Sequence, residues 1–89
     1  MQIEEPALGG VVKRLRRAEG QIRGVIAMLE DGRDCSEVVM QLAAVSRALD
    51  RAGFKVIASG LEQCLSAKAA GQSTDVNLDA LERMFLSLA

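Results

Sequence analysis

The sequence predicts an all-α protein of three helices, two long and one short. Three observations carry this prediction. From Val11 the apolar residues Leu15, Ala18, Ile22, Val25 and Leu29 follow at alternating steps of four and three, a helical seam and not the alternation of a strand. A second seam with the same steps runs through Val38, Leu42, Val45, Leu49, Ala52 and Val56. Further on, Leu78, Leu81, Met84, Phe85 and Leu88 make a short third stripe.

Taken in order, residues 1–10 read as a flexible, acidic lead-in (Glu4, Glu5, Pro6) closed by Gly9-Gly10 and expected to fray. Residues 11–89 read as one helical domain. Val12 and Ile26 widen the first seam into an ordinary buried face. The first helix should stop at Glu30-Asp31-Gly32, where glycine accepts the left-handed cap. Asp34-Cys35-Ser36-Glu37 is the next start signal, an acidic N-cap with a glutamate three residues later. The second helix continues through Ile57, Leu61, Cys64 and Leu65 and should end between Ala67 and Gly71. Gly53 and Ser59-Gly60 are its weak points, each glycine costing about 1 kcal/mol against alanine, so a bend is expected at one of them. Gln72-Ser73-Thr74 reads as a loop before the third helix.

Composition bounds the chemistry. The 89 residues are 49% apolar but only 2% aromatic, carry a formal charge of −1, and include no histidine, tryptophan or tyrosine. Without histidine there is no imidazole base, no Ser-His-Asp triad and no imidazole metal ligand. Without Trp or Tyr the stacking platforms used on single-stranded nucleic acid are absent. No enzyme activity, no resident metal and no cofactor are expected. The N-terminal stretch lacks the pattern of a signal peptide, and no run reaches the ~20 apolar residues of a membrane span. A cytoplasmic protein with reduced cysteines and no membrane partner follows. Two long helices in so short a chain cannot bury both seams internally, so oligomerisation is expected.

The near-zero net charge hides an uneven distribution. Between Val11 and Gly24 stand Lys13, Arg14, Arg16, Arg17 and Arg23 against the single acid Glu19, a local charge of +4. On the second helix Arg47, Arg51 and Lys55 recur every four residues along one face. Most of the first-helix cations lack the acidic i,i+4 partners of a solubility face. Repeated by oligomer symmetry, the two stripes would form a multi-site phosphate footprint on double-stranded DNA.

The two cysteines carry the sharper inference. Cys35 falls in the first turn of the second helix, a position whose free amides and dipole favour thiolate chemistry, with Arg33 adjacent. Cys64 lies 29 residues later on the same helix, about 43 Å away if that helix is straight, far beyond the roughly 7 Å limit for a disulfide. Two antiparallel copies of the helix, with a two-fold axis near Leu49, would set Cys35 of one chain against Cys64 of the other.

The run Arg14-Leu15-Arg16-Arg17-Ala18-Glu19-Gly20-Gln21-Ile22-Arg23-Gly24, with Asp34-Cys35, Gln41-Leu42-Ala43-Ala44-Val45 and Cys64 downstream, resembles the copper-sensing operon repressor (CsoR/RcnR-like) family. The resemblance implies a three-helix protomer, an antiparallel dimer, a disc-like homotetramer, and a repressor that leaves operator DNA when an inducer reacts at the cysteines. It places DNA contacts at Arg14 and Arg51, which the charge stripes extend to Arg17, Lys13 and Arg47.

This sequence departs from the copper-sensing pattern. The family's histidine four residues before the second cysteine is Gly60 here, and the tyrosine before the first cysteine is Asp34. The formaldehyde-sensing branch is similar at Cys35 but needs no second cysteine. A cysteine pair without the histidine resembles the persulfide-sensing (CstR-like) sulfurtransferase repressors. The expectation is a repressor whose sensor thiols Cys35 and Cys64 are bridged across subunits by reactive sulfur species. The alternative is a copper(I)-responsive repressor that uses thiolate ligands only.

Overall fold

The structure is a computed structural model and describes residues 5–73 and 77–89. Among the described residues three helices form in chain order: α1 (Glu5–Glu30), α2 (Cys35–Ala69) and α3 (Leu78–Leu88). α2 packs against both others, and α1 and α3 do not touch. No described helix is long and apolar enough to cross a membrane.

The helix ends follow local chemistry. Gly32 takes φ +69°, its N–H donates to Leu29 O at 3.2 Å, and Arg33 N–H donates to Met28 O at 3.0 Å. This paired closure satisfies the last carbonyls of α1. The same device ends α2: Gly71 at φ +71°, with Gly71 N–H on Lys68 O at 3.1 Å and Gln72 N–H on Ala67 O at 2.8 Å. Asn77 caps α3, its Oδ1 accepting from Asp79 N at 2.8 Å and Ala80 N at 3.2 Å. Gln72 and Ser73 are non-helical, as expected, while Thr74 lies outside the described residues.

At the start of α2 the Asp34 carboxylate accepts from both the N–H and the hydroxyl of Ser36. The hydroxyl bond first, then the amide bond, holds the Asp34 carboxyl below its ordinary value. A depressed carboxyl contributes stability above its unfolded pKa, and that stability is lost as pH falls through the folded pKa. Asp34→Ala is therefore expected to lower the melting temperature at neutral pH. The deficit should close as pH drops through and below the ordinary carboxylate range. Thermal melts followed by circular dichroism check this, and a deficit that does not change with pH would contradict it.

One expectation about glycine needs correction. α1 begins at Glu5 and runs straight through Gly9-Gly10, so described residues 5–10 of the expected lead-in are helical. Residues 1–4 lie outside the described residues. α2 is helical without interruption through Gly53 and Gly60, the one long helix the sequence predicts. The reason is conformational. Glycine stops a helix when it takes the left-handed region, and among the described residues only Gly32 and Gly71 do so. Gly53 serves close packing instead: a Cβ there would meet Leu88 Cδ1 at 2.7 Å, where α3 lies over α2. Beside it the only two phenylalanines, Phe54 and Phe85, pair with ring centroids 5.3 Å apart.

The core is a narrow line. Val11, Ala18 and Val25 are buried on α1, and Val38, Val45, Ala52 and Ser59 on α2, each spaced by seven. Val25, Val38 and Val45 pack in one cluster with Met28 beside it. Because the spacing is equal on both helices, an antiparallel pair that joins Val25 to Val45 brings Ala18 level with Ala52 and Val11 with Ser59. The buried Ser59 hydroxyl donates to Lys55 O at 2.8 Å, so its polarity is satisfied within the helix.

The seams thus divide. One residue per heptad is buried inside the chain, and the other (Leu15, Ile22, Leu29, Leu42, Leu49) is exposed. The protomer measures 58 × 24 × 14 Å with a radius of gyration of 17.0 Å, against about 12 Å for a compact domain of this length. Its accessible surface, 6493 Å², exceeds the roughly 5,000 Å² expected for a folded monomer of this mass.

Candidate nucleic-acid interface and sensor thiols

Arg14, Arg17 and Gln21 lie on one face of α1, at i, i+3 and i+7. Ala44, Arg47, Ala48 and Arg51 lie on one face of α2 at the same kind of spacing. The α1–α2 hairpin brings the two faces together around a groove of about 390 Å³ lined by these seven residues. The two alanines keep the floor low, and the four arginines supply the walls. None of the four has an ion-pair partner among the described residues. Arg23, by contrast, lies 4.0 Å from Glu19. An unpaired guanidinium offers five donors in a fork that matches phosphate.

Four of the five expected DNA residues therefore converge on one concave surface. Lys13 does not line it, and neither does Lys55, the third cation of the α2 stripe. Gln21 was not singled out from sequence, although its place one turn beyond Arg17 on the same face was legible. Its Oε1 is buried and has no hydrogen-bond partner, a state that costs about 1–3 kcal/mol when it persists.

The cysteines occupy opposite ends of α2 and opposite environments. Cys35 is exposed in the first turn, and Cys64 is buried, 1% accessible, under Leu81 of α3 and beside Ile57. The neighbouring Arg33 does not serve Cys35: its Nε donates to Glu37 Oε2 at 2.9 Å. A shallow recess of about 360 Å³ borders Cys64, lined also by Lys68 one turn on and by Asn77, Leu78 and Asp79, the last three brought near only by the docking of α3. Since α2 is one uninterrupted helix, the two sulfurs stay about 43 Å apart within a chain at 1.5 Å per residue.

No group of three or more His, Cys, Asp or Glu side chains gathers among the described residues of one protomer. Gly60, where a histidine ligand would stand, is a buried residue with no side chain to offer. Zinc, which takes four ligands in closed sites, does not fit this donor set. Two thiolates brought together from two chains fit copper(I), which favours soft sulfur donors.

A sequence profile described as metal-sensitive transcriptional repressor matches residues 9–87. The chain belongs to that family. It is a family of transcriptional repressors and not of enzymes. The chain is 38% identical to the copper-sensing transcriptional repressor RicR of Mycobacterium tuberculosis over 58 residues, 65% of this chain and 60% of that protein. It is 41% identical to the copper-sensing transcriptional repressor CsoR of Mycobacterium ulcerans over 56 residues, 63% of this chain and 48% of that protein. These alignments span about half to three-fifths of the relatives' length. The nickel-responsive transcriptional regulator InrS has a similar solved structure, with a TM-score of 0.67 and 33% identity over 99% of this chain and 92% of that one. The three-helix architecture is thus the fold of this repressor family.

Proposed function

We propose that the chain is a homo-oligomeric, cytoplasmic repressor that holds double-stranded operator DNA through the α1–α2 arginine groove and lets go when an inducer joins Cys35 to Cys64 of the partner subunit. The observation that carries the DNA reading is the convergence of Arg14, Arg17, Arg47 and Arg51 on one groove. The exposed halves of both seams support association into an antiparallel dimer and a disc-like tetramer, because each would otherwise leave large apolar side chains in water.

Copper(I) is the inducer the relatives favour, since RicR and CsoR are copper-sensing. Cys35 and the partner's Cys64 would hold it. Bound there, a thiophilic cation would tie the start of one α2 to the far end of another. A second reading is favoured by one specific feature, the absence of histidine with Gly60 in its place. In that reading the Cys35 thiolate takes a sulfane sulfur from a persulfide donor, releasing the donor as its thiolate. The partner's Cys64 then attacks the Cys35 sulfur itself and expels the outer sulfur as hydrosulfide, leaving a disulfide between chains. Each further sulfane sulfur taken up beforehand lengthens the bridge by one atom.

Anaerobic exposure to copper(I) and to sodium tetrasulfide in separate arms, each followed by native mass spectrometry and DNA release, decides between them. Copper bound in the oligomer with coincident release supports the first reading. An inter-chain disulfide, or a longer bridge carrying added sulfur, with coincident release supports the second. Release in neither arm would remove the cysteine pair as sensor.

A further inference from the structure

We propose that Gln21 is the positioning residue of the arginine groove, taking a guanidinium N–H from Arg17 when a phosphate enters and so holding that guanidinium's remaining donors toward the anion. The inference deepens the DNA-binding reading and rests on it.

Three observations carry it. The Gln21 side-chain oxygen is buried and without a donor, yet it lines a recess walled by four arginines. An acceptor shut away from water next to unpaired guanidiniums is incomplete as it stands. The arginines themselves are exposed, so nothing in the free protein holds any of them in one geometry. Finally, Arg17 lies one turn before Gln21, and helical side chains lean toward the N-terminus, which directs the Gln21 carboxamide over the Arg17 turn.

Phosphate entry supplies the missing order. Neutralised by the anion, Arg17 settles into the groove, where one N–H can complete Gln21 while the opposite edge forks onto two phosphate oxygens. A guanidinium held at its back loses less freedom on binding than one swinging in water. Gln21 itself makes no charge contact, so it raises affinity without adding to the number of counterions released.

The test uses the full chain and a fluorescein-labelled 40-base-pair duplex of mixed sequence, titrated at several salt concentrations. Gln21→Leu should weaken binding about tenfold while leaving the slope of log K against log salt unchanged. Its melting temperature should stay equal or rise, because an unpaired buried acceptor is gone. Arg17→Ala combined with Gln21→Leu should bind no more weakly than Arg17→Ala alone. Gln21→Glu should capture Arg17 permanently and lower the slope by about 0.9 per engaged protomer. Wild-type affinity in Gln21→Leu, additive losses in the double variant, or an unchanged slope in Gln21→Glu would each overturn the proposal. A wild-type chain that does not bind the duplex, or Arg14 and Arg51 variants indistinguishable from it, would instead bring down the DNA-binding reading along with the inference.

Discussion

Cys35→Ala protein is expected to bind duplex DNA as tightly as the wild type and to remain bound when inducer is added. The two halves of this expectation come from different parts of the fold. In the proposed function affinity resides in the arginine groove, whose lining residues include neither cysteine. In the same proposal response resides at the ends of α2, where Cys35 is exposed. Removing that sulfur leaves either a single thiolate for copper(I) or no first acceptor for sulfane sulfur, so neither route can link two helices. Coupling between sites of this kind amounts to about 1–3 kcal/mol, or 5- to 150-fold in affinity, and the whole factor should disappear. Cys64→Ala should also abolish the response, although its loss from beneath Leu81 touches the packing of α3 as well. Fluorescence anisotropy with and without inducer measures both quantities, and continued inducer-driven release from Cys35→Ala would contradict the assignment of Cys35.

The arginine variants should show the opposite pattern. Arg14→Ala and Arg51→Ala are each expected to weaken DNA binding about tenfold, equivalent to roughly 1.4 kcal/mol. The slope of log K against log salt should fall by about 0.9 for every phosphate left without its guanidinium. Two engaged protomers double that change. Arg17→Ala and Arg47→Ala should behave similarly because they line the same groove, and Lys13→Ala should lose less because it does not. Inducer-driven release should persist in all of them, scaled to the weaker starting affinity. Substituting all four arginines should leave a helical protein, since none of them is buried or paired in the described structure. Equal slopes for wild type and variants would take these residues off the DNA surface.

Much of the fold was legible because its signals are local. The caps at Gly32, Asp34 and Gly71 depend on one or two residues each, and the four-three periodicity marks a helix wherever it occurs. Gly9-Gly10 misled for an equally physical reason. Glycine in a helix costs only about 1 kcal/mol, and Val11 packed on α2 anchors a helix that can extend back past that penalty. Gly53 read as a weak point because the bulk that fills the space above it belongs to Leu88, thirty-five residues away in sequence.

The site divided in the same way. Charge and spacing were enough to pick Arg14, Arg17, Arg47 and Arg51 as a set, and to place Cys35 and Cys64 beyond reach of each other on one helix. Which half of each seam the chain buries itself was not readable, because both halves are equally apolar until two helices choose a register. That choice turns Leu15, Ile22, Leu42 and Leu49 outward, closes α1 and α2 around the groove, and leaves the Gln21 oxygen without a donor. It took the docking of α3 to bury Cys64 beneath Leu81. The sequence by itself determined the helices, their ends and the residues that carry chemistry, since these follow from backbone propensity and periodicity within a few turns. The tertiary structure alone decided which faces meet and which sulfur is covered, because those outcomes depend on contacts between residues far apart along the chain.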